Sequence, residues 1–320
     1  MIEYSPLDWI KIAVANAYGK DKNSFEERIK WFEENSSKLD TLINKAKDPA
    51  YMYAGIMAYE DTLRRKPIGF LVSVDASASG MQVLSTLSGC SKTAALIGLI
   101  GGTRKNVYAS IKKALEIEGV EYELIKEAIM TYFYGSVRVP WRVFGYKYPL
   151  FIKRMAIIAP GAYCCTQLFL NSRDDSSEYS WSLPDGFRVK AKIFTKKKVG
   201  IYIPEMKHTF NHVYDVQESN KRDVSIAANI THSVDAYVCR EMIRRAYDNG
   251  FEIITIHYDF RCHPLYVNKM RRNYNEIMAE IAESNLLSEI MSSVRRGVIN
   301  YAPIDEKLGS KIREGNYALN

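Results

Sequence analysis

Cysteine is scarce in this 320-residue chain, and what there is shows no pairing logic. Cys90, Cys164, Cys165, Cys239 and Cys262 are odd in number and lack the close spacings of zinc sites. That argues against a disulfide scaffold or structural zinc and for a reducing compartment with buried or incidental thiols. Long hydrophobic runs are also missing. The longest apolar stretch, residues 94–102, is glycine-rich and falls well below the ~18–20 residues that a membrane span requires. No charged-then-apolar leader follows Met1. No internal repeat or low-complexity linker divides the chain. The expectation is a soluble, cytosolic protein without membrane contact, folded as one α/β unit with a β-rich insertion.

Hydrophobic residues make up 47% and charged residues 25%, the proportions of a globular protein. A net charge of +7 and a pI near 8.9 lean mildly toward an anionic partner. The basic stretches Arg64-Arg65-Lys66 and Lys196-Lys197-Lys198 read as solvated surface. Residues 8–17, 24–44, 77–87, 107–115, 121–134, 223–249 and 268–293 carry helical periodicity, the last followed by a polar tail. Residues 69–74 and 253–257 are short β-leaning runs, expected as buried strands that deliver Asp75 and Asp259. Between 174 and 222 the texture turns to strands and turns. Pro184-Asp185-Gly186 is a turn signal, and residues 201–207 are expected at the tip or return of a long hairpin.

The most informative run is IKEAIMTYFYGS, residues 125–136. On a helix Lys126, Met130 and Tyr134 share one face, with about 12 Å between the ammonium-bearing and phenol-bearing residues. Gly135 then suits the helix end. A cation at one end and an aromatic at the other would suit a nucleoside triphosphate. Taken alone, the run is an amphipathic helix with a solvated lysine. Asp75 and Asp259 form the second pattern, because carboxylates at adjacent strand ends can hold two Mg²⁺ ions roughly 3.5–4 Å apart for phosphoryl transfer.

At these residues the chain resembles the single-subunit DNA-dependent RNA polymerases of bacteriophages and mitochondria. DASASGMQ (75–82) is similar to that family's first metal motif, residues 126–136 to its nucleotide-binding helix, and SIAANITHSVD (225–235) to the helix carrying its ribose-sensing histidine. The likeness extends to Trp9-Ile10-Lys11-Ile12 with Ala15-Asn16, to Trp181 with Pro184 and Gly186-Phe187, and to Asn316-Tyr317-Ala318-Leu319, which matches a C-terminal foot folded back beside the active site.

The resemblance implies a mixed α+β fold, the right-hand palm and fingers of a polymerase, helix-rich with a small antiparallel palm sheet and a β-hairpin insertion. Palm and fingers would interleave over 1–320. The fingers would occupy 100–165, and a specificity-hairpin-like segment 174–222. Asp75, the Ala76 carbonyl and Asp259 would hold two Mg²⁺ ions. Lys126 and Lys22 would contact the triphosphate, with Met130 between the helix's two working ends. Tyr108 would line the pocket, and Tyr134 with His232 would sense the ribose 2′-hydroxyl. The implied activity is DNA-directed RNA synthesis from NTPs in the cytoplasm of a phage-infected host.

Three departures stand against the pattern. The family's His-Asp metal motif becomes His257-Tyr258-Asp259-Phe260, so Tyr258 takes the aspartate's place and Asp259 can serve only through a bulge or a shifted register. An arginine four residues before the lysine becomes Tyr122, for which Arg104, Lys105 or a partner's side chain could substitute. No Asp-x-x-Gly-Arg element occurs. An N-terminal domain and thumb are therefore expected on a second polypeptide, making this the larger subunit of a heterodimeric phage enzyme. A single-stranded-DNA-binding protein is a candidate helper. Two alternatives stay open: a family A-like DNA polymerase, and a catalytically impaired or non-catalytic nucleic-acid-binding subunit.

Overall fold

The computed structural model describes residues 1–220 and 224–320. The expected insertion boundary at Arg222 and helix start at Asp223 lie outside the described residues. Among the described residues the chain is helix-rich, with three small antiparallel sheets. No described helix is long and apolar enough to cross a membrane.

One sheet organises the centre. Its strands Val72–Asp75, Asp259–Cys262 and Ile254–Ile256 are hydrogen-bonded in the order first, second, third. Because side chains alternate along a strand, Val72, Val74, Phe260 and Cys262 enter the core while Ser73, Asp75, Asp259 and Arg261 share the opposite face. Beneath lies the Ser79–Leu87 helix, buried from Gly80 onward and packed against the helices Ser91–Leu96, Pro160–Asn171, Ser225–Asp248 and Val267–Glu283. Its Ser85 and Thr86 hydroxyls donate to carbonyls of their own helix, which makes their burial tolerable. A smaller apolar cluster of Val14, Phe32, Met52 and Ile56 holds the N-terminal helices together.

Glycine, proline and capping residues set the element ends. Ser24 and Glu27 form a reciprocal capping box at the Phe25–Asn35 helix. The expected 24–44 helix breaks after Asn35, where the Asn35 amide and Ser36 hydroxyl donate to the carbonyls of Trp31 and Glu33 and compete with helical bonding. The expected 268–293 helix is likewise two, Val267–Glu283 and Leu286–Arg295. Between them Ser284 is extended and its hydroxyl accepts from the Leu286 amide. The 253–257 run is not a buried strand. Ile254–Ile256 is an edge strand, with Ile254 and Ile256 about half exposed. Nor is the C-terminus a polar tail, since Tyr317, Ala318 and Leu319 are buried.

In the 174–222 region, Glu178–Ser182 pairs with Arg188–Lys192 around the Pro184-Asp185-Gly186 turn. Phe194–Ile203 pairs with His208–Gln217 in a long, exposed hairpin tipped by Pro204–Met206.

Candidate active site

The polar face of the central sheet opens into a cleft of about 820 Å³. Its walls include Lys22, Asp75, Ala76, Arg104, Lys105, Tyr108, Tyr122, Lys126, Met130, Tyr134 and Asp259. Of the site residues expected from sequence, all but His232 line this space directly. His232 joins by stacking on Tyr134, with ring centroids 4.7 Å apart and planes 12° from parallel.

The two aspartates are direct partners across the sheet, because the register pairs Asp75 with Asp259. The shift required by Tyr258 is supplied by a tight turn. Ile256 pairs with Asp259, leaving His257 and Tyr258 as the loop, with His257 in the left-handed region at φ 55°. Tyr258 falls on the core side, beside Phe260 and Tyr274, and only 8% of it is exposed. A second non-glycine left-handed residue, Ala78 at φ 57°, turns the chain from Asp75 into the Ser79–Leu87 helix. Backbone strain of this kind concentrates at functional sites.

Asp75 is pushed up to about 6, chiefly by burial within the cleft walls and then by the negative charge of Asp259. The carboxylate is reachable from the cleft, yet the surrounding walls remove much of the bulk water that would otherwise stabilise its charge. Asp259 is held differently. Its Oδ1 accepts from the Ser73 hydroxyl at 2.5 Å, and its Oδ2 accepts from Arg261 Nε and Nη2 at 2.9 and 2.6 Å. A carboxylate offers about four lone-pair sites, so these contacts leave capacity on Asp259. Among the described residues no group of three or more His, Cys, Asp or Glu side chains converges, so a metal would rely on this pair. Two opposed carboxylates form a hard oxygen donor set that fits Mg²⁺, which characteristically uses one or two carboxylates and completes its shell with water and phosphate.

The helix Tyr122–Tyr132 forms another wall. Gly135 sits just beyond it at φ 92°, as the helix end demands. The Lys126 ammonium lies 6.0 Å from the Tyr108 ring and 3.8 Å from Glu123, an exposed pair of little strength. At the Tyr122 position Lys112 lies 5.7 Å from the ring, while Arg104 and Lys105 line the same cleft. Burial depresses Arg104, whose Nη2 reaches the Asp21 carbonyl at 3.4 Å. Lys22 is exposed beside Asp21.

At the far end of this wall Tyr134 rests on backbone. A Cβ added at Gly80 would collide with the Tyr134 hydroxyl, so the glycine of Ser-Gly-Met-Gln makes room for the phenol. Burial, then the Asp235 charge, raises the Tyr134 phenol and keeps it protonated as a donor.

Several residues escaped sequence reasoning. The C-terminus closes the site's edge: the Asp75 amide donates to the Asn320 carbonyl at 3.2 Å, and the Asn320 amide returns a bond to the Asp75 carbonyl at 3.0 Å. Gln82, fully buried, donates to the Ala318 carbonyl at 3.0 Å and accepts from the Tyr274 hydroxyl at 2.6 Å. Asp235 lies 3.6 Å from His232, an ion-pair distance, and raises the histidine. The i, i+3 spacing of 232 and 235 was the one available signal. The pairings of Asn320 and Gln82 join distant parts of the chain and leave no local trace.

A sequence model of the DNA-dependent RNA polymerase family matches residues 2–144 and 151–316. The chain belongs to that family. The mitochondrial DNA-directed RNA polymerase of Neurospora crassa is 30% identical over an alignment of 141 residues, covering 38% of this chain and 10% of that protein. The chain therefore spans about a tenth of that relative's length. Within this polymerase-family chain, the cleft that gathers Asp75, Asp259, Lys126 and Tyr134 is lined from both matched segments.

Proposed function

We propose that this chain is the catalytic part of a DNA-directed RNA polymerase, adding ribonucleotides to RNA on a DNA template. The observation that carries the reading is the direct pairing of Asp75 with Asp259 on the floor of a cleft whose wall is the Lys126–Tyr134 helix. In this reading the central sheet is the palm, 100–165 the fingers, and the exposed hairpin within 174–222 a segment that meets the template. Asp75, Asp259 and the Ala76 carbonyl would hold two Mg²⁺ ions, which would supply acidification of the RNA 3′-hydroxyl and offset charge on the transferred phosphoryl group. The chain's own residues do the rest. Lys126 and Lys22, with Arg104 nearby, attract and orient the triphosphate. Tyr108 and Met130 pack against the nucleotide, and Tyr134 stacked on His232 meets the sugar at its 2′ position.

Selection against deoxyribose follows from polar satisfaction. A partly buried phenol, with the imidazole stacked on it, penalises a sugar that leaves it without a hydrogen-bonding partner more than apolar packing could. This favours a ribonucleotide over a deoxyribonucleotide polymerase. The engaged but unsaturated carboxylate of Asp259 favours an active site over a degenerate one. The proposal extends to a bacteriophage origin and to a second polypeptide supplying an N-terminal domain and thumb. Exposed apolar side chains such as Tyr53, Met57, Ile254 and Ile256 are compatible with further protein packed against this chain.

One preparation tests both parts. Isolated from its source, the chain should elute with a second polypeptide in equal amount, and the assembly should extend RNA with rNTPs in preference to dNTPs. Tyr134→Phe should reduce that preference at least about tenfold, the scale of one lost hydrogen bond worth ~1.4 kcal/mol. Full activity from this chain alone would refute the partner. An unaltered sugar preference in Tyr134→Phe would refute the role of the helix.

A further inference from the structure

Tyr258 stands where the resemblance places a metal-binding aspartate, yet the structure gives its hydroxyl a different task. It donates to Asp235 Oδ1 at 2.5 Å, inside the core. Asp235 is itself only 7% exposed, and a buried carboxylate is tolerated only when its oxygens are satisfied. Its two oxygens are divided: Oδ1 takes the tyrosine, and Oδ2 faces His232 Nδ1 at 3.6 Å. His232 in turn lies flat on Tyr134. An unbroken path of contacts thus runs from the hairpin that bears Asp259 to the phenol at the other end of the cleft.

We propose that Tyr258 is a positioning residue for sugar selection, acting through Asp235 and His232 on Tyr134. The inference rests on the polymerase reading above and adds two residues to it. The physical argument is rotational. A short bond from a neutral hydroxyl to a carboxylate is among the stronger hydrogen bonds, and it fixes the plane of the Asp235 carboxyl group. With Oδ1 held, Oδ2 is aimed at His232 and sets the tilt of an imidazole whose side chain is otherwise 63% exposed. Tyr258 is well placed to serve as the fixed end. Its ring is wedged against Phe260 and Tyr274, and its carbonyl accepts from the Ala76 amide at 3.3 Å, beside Asp75. The hairpin therefore presents its carboxylate to the cleft and its phenol to the sugar-reading helix, on opposite faces of adjacent residues.

The test measures kcat/KM for matched rNTP and dNTP incorporation by the assembled polymerase, with Tyr258→Phe and Asp235→Asn, each alone and combined with His232→Ala. Tyr258→Phe keeps the ring and removes the bond. The ribose preference should fall about tenfold in each single variant, and Tyr258→Phe should add no further loss in the His232→Ala background, as residues acting through one another do. A parent-like ratio in Tyr258→Phe, or an equal further loss without His232, overturns the inference while leaving the polymerase reading intact. Should Tyr258→Phe fail to fold, Asp235→Asn decides the question through the same ratio, because its amide keeps the size but loses the charge that faces His232. Absence of RNA synthesis by the parent assembly overturns the polymerase reading, and this inference with it.

Discussion

Ionised Asp75 sits in the folded chain at an energetic disadvantage. Its carboxyl group is raised to about 6 from an ordinary 3.8 by burial and by Asp259. A carboxyl whose folded pKa is raised favours the folded state below its unfolded pKa and loses that contribution as pH climbs through the folded value. Asp75 therefore destabilises the metal-free protein above about pH 6, and removing its charge should help. In excess chelator, Asp75→Asn should melt at a higher temperature than the parent at pH 8, with the gap closing as pH falls from about 6 toward 4. A lower melting temperature at pH 8 would mean that Asp75 is already compensated by the protein. Asp75 itself was legible in the sequence, because it follows directly on the β-leaning run 69–74 and precedes the helical periodicity of 77–87. Its neighbour Asp259 was legible only as a candidate. A one-residue displacement inverts every side chain of a strand, and the outcome depended on the tight turn at His257.

The elements that surround these residues were unevenly readable. The 107–115 helix matches its periodicity residue for residue, and the Tyr122–Tyr132 helix lies within the expected 121–134, because both are amphipathic and clearly ended. The C-terminal segment was misread as polar from its composition, although the resemblance pointed back to the site. Gln82 helps to hold it, its amide spanning the Ala318 carbonyl and the Tyr274 hydroxyl within the core. Such contacts join residues more than 190 positions apart, and no local pattern encodes them. Gln82→Leu keeps the bulk and strands both partners. Each buried orphan costs about 1–3 kcal/mol, so the variant should lose ~2–6 kcal/mol in urea unfolding. An unchanged unfolding midpoint would show that the tail is held without Gln82.

At the scale of the whole molecule, the cleft is assembled from residues 16 to 320, with each wall contributed by a different stretch of chain. That dispersion explains why the residues alone offered separate motifs, and why their convergence on one cleft was expected through the resemblance rather than from any local pattern. It also makes the two aspartates the sharpest point of attack, since they alone join the sheet's geometry to the proposed chemistry. The decisive measurement is RNA extension on a DNA template by the complete assembly carrying Asp75→Asn or Asp259→Asn. Each substitution should abolish nucleotide addition, by at least about 10³-fold, while binding of template DNA persists. Near-parental extension by either variant would contradict the paired-aspartate site.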